Sequence, residues 1–240
     1  MCDYFILTKP TNLETSNNKQ NQIVCLHGKA YILPKNNLNY YINHGLFENG
    51  LIEWCKQFCR KDQNILDIGA HSGTYTISLA DYSKHVYAFE PQKMTFYSLC
   101  GSVALSNIKN VTCINYGLGS TEQVGKQALN IVSLDGGGSS LHTNNNNNSL
   151  QTEEIEVITL DSLNIDNIGF IKIDVEENEL QTLMGSQNTL IKSNYPKILF
   201  EMNKECPQLL GFLKSLHYDI VCVGGCNNMF LAVNNLTPQN

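Results

Sequence analysis

The chain has 240 residues, 42% of them hydrophobic and 16% charged, the balance of a globular domain with enough apolar material for a substantial core. Its formal net charge of −6 provides no diffuse positive field to draw nucleic acid or an anionic membrane surface, which argues against nucleic acid as a partner.

In chain order, residues 1–20 are polar ("TNLETSNNKQNQ") and read as a loose lead-in. "QIVCLHGKAYIL" predicts two short strands turning at His27-Gly28-Lys29. A helix follows near 46–60, with Leu51, Trp54, Cys55 and Phe58 on one face. An alternation then begins: strand 64–68, helix 73–81, strand 85–90, helix 92–106 and strand 111–115. Pro91 suits the first turn of its helix. After Asn115, "YGLGSTEQVGKQALNIV" and "EEIEVITL" predict extra strands joined by a Gly/Asn-rich loop at 134–150 that contains "NNNNN". Such a tract reflects tolerance in a loop. Asp161 in "TLDSL" is placed to cap a short helix. The buried strand "FIKIDV", a helix near 177–191, strand 197–202, helix 206–216 and a closing pair across Gly224-Gly225 complete the chain. Apolar strands alternating with helices imply a mostly parallel sheet of about seven strands covered on both faces. The expected organisation is an N-terminal extension (1–60), one α/β domain (61–235) and a short tail.

No run approaches the ~20 apolar residues of a membrane span. The nine cysteines follow no leader-like segment and read as reduced thiols of a cytoplasmic protein. Cys55/Cys59 and Cys222/Cys226 lack the spacing of a zinc site, and no metal site is assigned.

The stretch "NILDIGAHSGTYTISLA" runs from a strand through D-x-G-x-x-x-G into a helix. A P-loop needs Lys and a hydroxyl residue after its second glycine, whereas Gly73 is followed by Thr74-Tyr75. A dinucleotide turn needs GxGxxG, and here the third glycine is missing. The wider turn suits a ligand without phosphates, S-adenosylmethionine, which presents an amino-acid end and a sulfonium. Asp67 supplies a carboxylate nearby, and Gly69, His71 and Gly73 belong to the same turn. Glu90, ending the next strand, can accept both ribose hydroxyls, and Asn115 to Gly117 lie where an adenine edge would be read.

Ligands of open α/β sheets bind beyond the carboxyl ends of the strands. That places Asp174 and Glu201 in the same crevice, with Glu176 on the side of Asp174 if its strand continues. One of these carboxylates could remove a proton from an acceptor hydroxyl, or they could share a divalent cation. Ser139, Ser140 and His142, in "GGGSSLHT", are candidate substrate contacts.

"ILDIGAHSGTYTISLA", "YAFEP", "NYGLGS", "ITLDSL", "FIKIDVEENEL" and "ILFE", in that order, resemble the FkbM-type methyltransferases over residues 64–202. The resemblance implies a Rossmann-like class I methyltransferase fold, S-adenosylmethionine as cofactor, and methylation of a hydroxyl oxygen on a small molecule or glycan. It places Asp67, Gly69, Gly73 and Glu90 on the cofactor motif, and Asp174 and Glu176 on a "KIDVEG-x-E" segment. Glu177 departs from that segment, standing where the family usually has glycine; His71 stands where it often has asparagine, and the Asn-rich loop looks like an insertion.

Two rival readings differ in class. An RNA cap ribose methyltransferase needs a Lys-Asp-Lys-Glu tetrad; Asp174 and Lys204 could supply two members, but after Glu205 the one acid is Asp219. A catalytically silent cofactor-binding scaffold is motivated by Glu177. A nicotinamide dehydrogenase lacks its third glycine.

Overall fold

The computed structural model describes residues 21–34, 38–133, 137–142, 150–226 and 228–236. The polar lead-in, the Asn tract and the end of the chain lie outside these residues. The chain opens with an antiparallel hairpin of β1 (Asn21–Leu26) and β2 (Lys29–Pro34), then α1 (Leu38–His44) and α2 (Asn49–Cys55). Alternation follows through β3 (Asn64–Ile68), α3 (Thr74–Leu79), β4 (His85–Phe89), α4 (Lys93–Leu105) and β5 (Val111–Ile114). Next come β6 (Gly117–Leu118), β7 (Gly125–Ile131) and β8 (Gln151–Ile158). The chain then returns through β9 (Ile168–Ile173), α5 (Glu179–Met184), α6 (Gln187–Lys192), β10 (Lys197–Glu201), α7 (Pro207–Ser215), β11 (Tyr218–Cys222) and β12 (Met229–Asn234).

Seven strands form the central sheet in the order β11-β12-β10-β9-β3-β4-β5, with β12 antiparallel to both of its neighbours and the remaining pairs parallel. All five residues of β3 are buried, as a strand covered on both faces requires. Ile65 joins the core beneath α2 and α3, while Leu66 and Ile68 join the one beneath α5, α6 and α7. The chain leaves β3 toward β4 on one side and returns to β9 on the other. The β3/β9 boundary is therefore the switch point at which an open α/β sheet leaves a crevice.

The extra strands build a separate three-stranded sheet, β6-β8-β7, and do not extend the central one. Several local expectations are corrected. The helix near 46–60 is shorter, with a 3₁₀ turn over Lys56–Phe58, and α1 precedes it. Trp54 is 36% exposed, edge-on to Phe58, while Ile52 is fully buried. Pro91 lies ahead of α4, because Gln92 is extended at its N-cap and donates its backbone N–H to Glu90. The helix near 177–191 breaks at Gly185-Ser186, where a Cβ on Gly185 would lie 2.0 Å from the Gly119 carbonyl oxygen. Asp161 caps α6, accepting the backbone N–H of Asn188 (3.1 Å) and Thr189 (2.8 Å).

Helix α4 is packed on two sides, so it carries no single apolar stripe. Phe96, Leu99 and Val103 pack with Ala70 and Ala88 toward the sheet. On the other side Ser102 and Ser106 offer Oγ to the β2 backbone: Ile32 N donates to Ser102 at 2.8 Å and Ala30 N to Ser106 at 2.9 Å. These serines satisfy strand-edge donors that would otherwise be buried without partners. Ser102→Ala therefore orphans the Ile32 N–H and is expected to cost about 1–3 kcal/mol, read as a lower urea midpoint with an unchanged slope; an unchanged midpoint would show that the hairpin does not depend on this contact.

Candidate active site

The carboxyl ends of β3, β4 and β9, with the segment after β5, surround a cleft of about 310 Å³. Its floor is the glycine turn. Gly69 has φ +76°, and a Cβ there would lie 1.8 Å from the Asp174 carbonyl oxygen; only glycine permits that approach. Gly69 and Ala70 donate their backbone N–H groups to the Phe89 carbonyl, and Asp174 N donates to Ile68 O at 3.0 Å. The ends of β3, β4 and β9 are thereby fixed to one another.

Asp67 is 2% exposed and does not line the cleft. Its Oδ2 accepts the backbone N–H (2.9 Å) and hydroxyl (2.5 Å) of Thr76, tying β3 to the first turn of α3. Among the described residues its Oδ1 has no hydrogen-bond partner, and it faces the Lys172 ammonium at 3.9 Å. Burial pushes the Asp67 carboxyl up, opposed by Lys172 and Thr76. Gly73 (φ +88°) precedes α3, and its neighbour Thr74 reaches the cleft.

Glu90 is buried and lines the cleft. Its Oε2 accepts the His71 backbone N–H at 2.9 Å and its Oε1 that of Gln92 at 2.8 Å. Burial raises its pKa to about 7, against the pull of those two donors and Lys172. Each oxygen retains a further acceptor position. Asn115 does not line the cleft; its amide clamps the carbonyls of Glu90 and Pro91, each at 2.9 Å. Tyr116, Gly117 and Leu118 do line it, beside Leu129 and Ile155 of the small sheet.

At the other end Asp174 and Glu176 line the cleft, and Glu201, which does not, stands beside them; each of the three offers a carboxylate oxygen within 4.8 Å of the others. That spacing suits a shared proton or a divalent cation. Protein donors already occupy much of the cluster: Asn203 and Asn228 donate to Glu201 at 2.6 and 2.7 Å, and Gly138 N to Glu176 at 3.0 Å. Asn203 and Gly138 thereby favour the ionised carboxylates, against burial, which raises the pKa of both. Burial, then the Asp174 and Glu176 charges, hold Glu201 up at about 8.

Of the loop residues, Ser139 lines the cleft and donates to Gln92 Oε1 at 3.1 Å. Ser140 turns away and donates to the Glu176 carbonyl at 2.7 Å. His142 is exposed and outside the cleft lining. The structure thus brings Gly69, His71, Glu90, Gly117, Ser139, Asp174 and Glu176 to one cleft and sets Asp67, Asn115 and Ser140 behind it.

Two contributions were not anticipated. Leu33, Pro34, Tyr41 and Phe47 of the N-terminal segment form one wall of the cleft. Lys172, 5% exposed, lies beneath it. The one sequence signal for the latter is a lysine between two isoleucines of a buried strand, a position that a charge occupies only with partners.

The family described as the methyltransferase FkbM domain matches residues 67–220. The chain belongs to that family. FkbM methyltransferases use S-adenosylmethionine as methyl donor. No curated protein matches this chain. Among solved structures, one titled methyltransferase FkbM from Methylobacillus flagellatus is 17% identical with a TM-score of 0.52; the alignment covers 72% of this chain and 44% of that one. The present chain therefore matches less than half of that relative's length. A putative rRNA-methylase from Clostridium thermocellum is 12% identical, TM-score 0.52, covering 78% and 94% of the two chains. A Pyrococcus abyssi tRNA (uracil-54, C5)-methyltransferase is 14% identical, TM-score 0.51, covering 89% and 44%. At these identities the likeness is one of fold.

The residues present here fit the donor at the Glu90 carboxylate, which lines the cleft with acceptor positions beyond its two backbone donors. Glu177, where the resemblance leads one to expect glycine, has φ +75°, a left-handed backbone that favours glycine. The Glu177 side chain points outward and pairs with Lys204. Left-handed backbone costs an L-residue about 1–2 kcal/mol, and a surface ion pair returns about 0–1. Glu177→Gly is expected to stabilise the chain by about 1 kcal/mol on these terms, seen as a higher melting temperature; a lower one would mean that the Lys204 pair outweighs the backbone strain.

Proposed function

We propose that this FkbM protein transfers the methyl of S-adenosylmethionine to a hydroxyl oxygen of a small molecule or glycan. The observation that carries the reading is Glu90: a buried carboxylate whose two oxygens are each oriented by a backbone N–H and still face the cleft. Such a group accepts two vicinal ribose hydroxyls, and its place at the end of β4 sets the direction of the ligand. The adenine then lies toward Tyr116–Leu118 after β5, and the methionine end toward Gly69 and Asp174 at the switch point.

S-adenosylmethionine, when bound, supplies an electrophilic methyl on a sulfonium. Transfer would exchange the methyl's C–S bond for a C–O bond to the acceptor hydroxyl, with the electron pair of the broken bond kept by sulfur. The hydroxyl proton must leave, and the Asp174–Glu201 pair is the acceptor proposed here. Glu201, held near 8, is tuned toward working pH as a base. Glu176 has a different part: its carboxylate and carbonyl hold Gly138 and Ser140, fastening the glycine-rich loop beside the cleft.

Charge supports a neutral or cationic acceptor over RNA. The transfer end presents Asp174, Glu176, Glu177 and Glu201, while Lys204 is engaged by Glu177 and Lys172 is buried. Asp219, the late acid available for a cap-type tetrad, sits on β11, three strands from β9. Of the solved structures compared above, one is a putative rRNA-methylase and one a tRNA methyltransferase, and RNA is the acceptor that a failed hydroxyl screen would bring forward.

Calorimetry with S-adenosylhomocysteine should give micromolar binding that weakens as pH falls through about 7. Glu90 is ionised above that pH and, once protonated, loses acceptor positions; Glu90→Gln should weaken binding about tenfold and flatten the profile. An unchanged profile in that variant would remove Glu90 from the ribose site. Labelled methyl transfer should label hydroxyl acceptors and not RNA. Its rate should rise with pH through about 8, as Glu201 loses its proton, and Glu201→Gln should slow it about 100-fold, the usual scale of acid–base catalysis, while cofactor affinity is kept. Transfer to RNA alone would contradict the hydroxyl reading.

A further inference from the structure

Lys172 touches four groups from three elements. Its ammonium donates to the Gly69 carbonyl at 3.0 Å, lies 3.3 Å from Asp174 Oδ2 and 3.9 Å from Asp67 Oδ1, and sits 5.2 Å from the centre of the Tyr75 ring. Tyr75 in turn donates its hydroxyl to Glu48 at 2.8 Å, ahead of α2. An ammonium removed from water costs several kcal/mol unless its partners are well placed. Its position is therefore strongly determined, and so are the positions of the oxygens around it.

Those oxygens lie where the sheet opens. Backbone pairing joins β3 and β9 as far as Ile68 and Ile173, and Asp174 N still reaches Ile68 O. Beyond that point the chains separate, Gly69 turning toward α3 and Asp174 toward α5. Lys172 spans the split from below, holding the carbonyl of one branch and the carboxylate of the other. Gly69 and Asp174 line the cleft; Lys172 does not.

We propose that Lys172 is a positioning residue for the amino-acid end of the methyl donor. It fixes the spacing between the Gly69 turn and the Asp174 carboxylate, the two surfaces that this end meets, and acts through them without touching ligand. The proposal rests on the S-adenosylmethionine reading above. It makes a prediction that a general scaffold role does not: the larger effect falls on the amino-acid end of the ligand, whose surfaces Lys172 contacts directly, while it reaches Glu90 at the nucleoside end only through its charge.

The test compares two probes on the full chain by calorimetry. S-adenosylhomocysteine has the amino-acid end; methylthioadenosine has the same nucleoside and thioether without it. Lys172→Met keeps the bulk and removes the charge and the donor. It should weaken S-adenosylhomocysteine tenfold or more and leave methylthioadenosine within threefold. Equal losses for both probes, or no loss for either, would overturn the proposal. If Lys172→Met does not fold, Asp67→Asn takes its place. That carboxylate faces Lys172 and does not line the cleft, and its amide should weaken S-adenosylhomocysteine at least threefold while sparing methylthioadenosine; equal losses or none would again overturn the proposal. Wild-type protein that binds neither probe would instead overturn the cofactor reading itself, and the proposal with it.

Discussion

A single buried ammonium organises this molecule at its functional end. Lys172 lies in a strand whose other residues are almost all buried apolar groups, and hydrophobic burial alone would exclude it. It is retained in a cage of oxygens from Asp67, Gly69 and Asp174 and the face of Tyr75. Breaking a buried pair of this kind typically costs about 3–5 kcal/mol, since it leaves an uncompensated charge. The arrangement therefore constrains both sides. Asp67 secures α3 through Thr76, Asp174 ends β9, and the carbonyl of Gly69 must point down. The ammonium works together with the backbone hydrogen bonds from Gly69 and Ala70 to Phe89 and from Asp174 to Ile68 to hold the Gly69 turn against Asp174.

Around this centre the cleft is assembled from parts with different physical origins. The central sheet supplies backbone and acids at the ends of its parallel strands. The small sheet supplies apolar cover through Leu129 and Ile155, and the N-terminal segment adds Leu33, Pro34, Tyr41 and Phe47. These four lie outside the region matched by the FkbM family, residues 67–220. The hairpin that carries Leu33 and Pro34 is docked on α4 by serine hydroxyls, an ordered polar contact made beside a modest apolar cluster. Residues from inside and outside the family match thus meet in one cavity.

Much of the central sheet was legible because its signals are local: apolar runs of strand length, a glycine turn, and acids at strand ends. Gly69, Glu90 and Asp174 could be placed from order alone, since the strand ends of a parallel sheet share one edge. The misreadings came where tertiary contacts decide. Asp67 reads as a ligand contact, yet its side chain turns to Thr76 and Lys172, a choice set by a partner more than 100 residues away in sequence. Asn115 likewise spends its amide on the backbone of Glu90. Trp54 reads as core by helical spacing; Leu51 and Cys55 of that face are buried, while Trp54 sits at its rim, edge-on to Phe58. The small sheet was invisible as a separate body because edge pairing leaves little trace in residue type. At Glu177, the residue behind the silent-scaffold reading, the backbone is left-handed, a conformation that suits glycine, and the side chain lies outside, against Lys204.

The central claim is that the cleft holds S-adenosylmethionine in one direction, with its ribose on Glu90 and its amino-acid end over the Gly69–Asp174 crevice. A crystal structure of the full chain with S-adenosylhomocysteine tests this most directly. The account predicts both ribose hydroxyls within hydrogen-bond distance of the Glu90 carboxylate, adenine beside Tyr116–Leu118, and the amino-acid end above Gly69. A ligand reversed in the cleft, or bound away from Glu90, would contradict it.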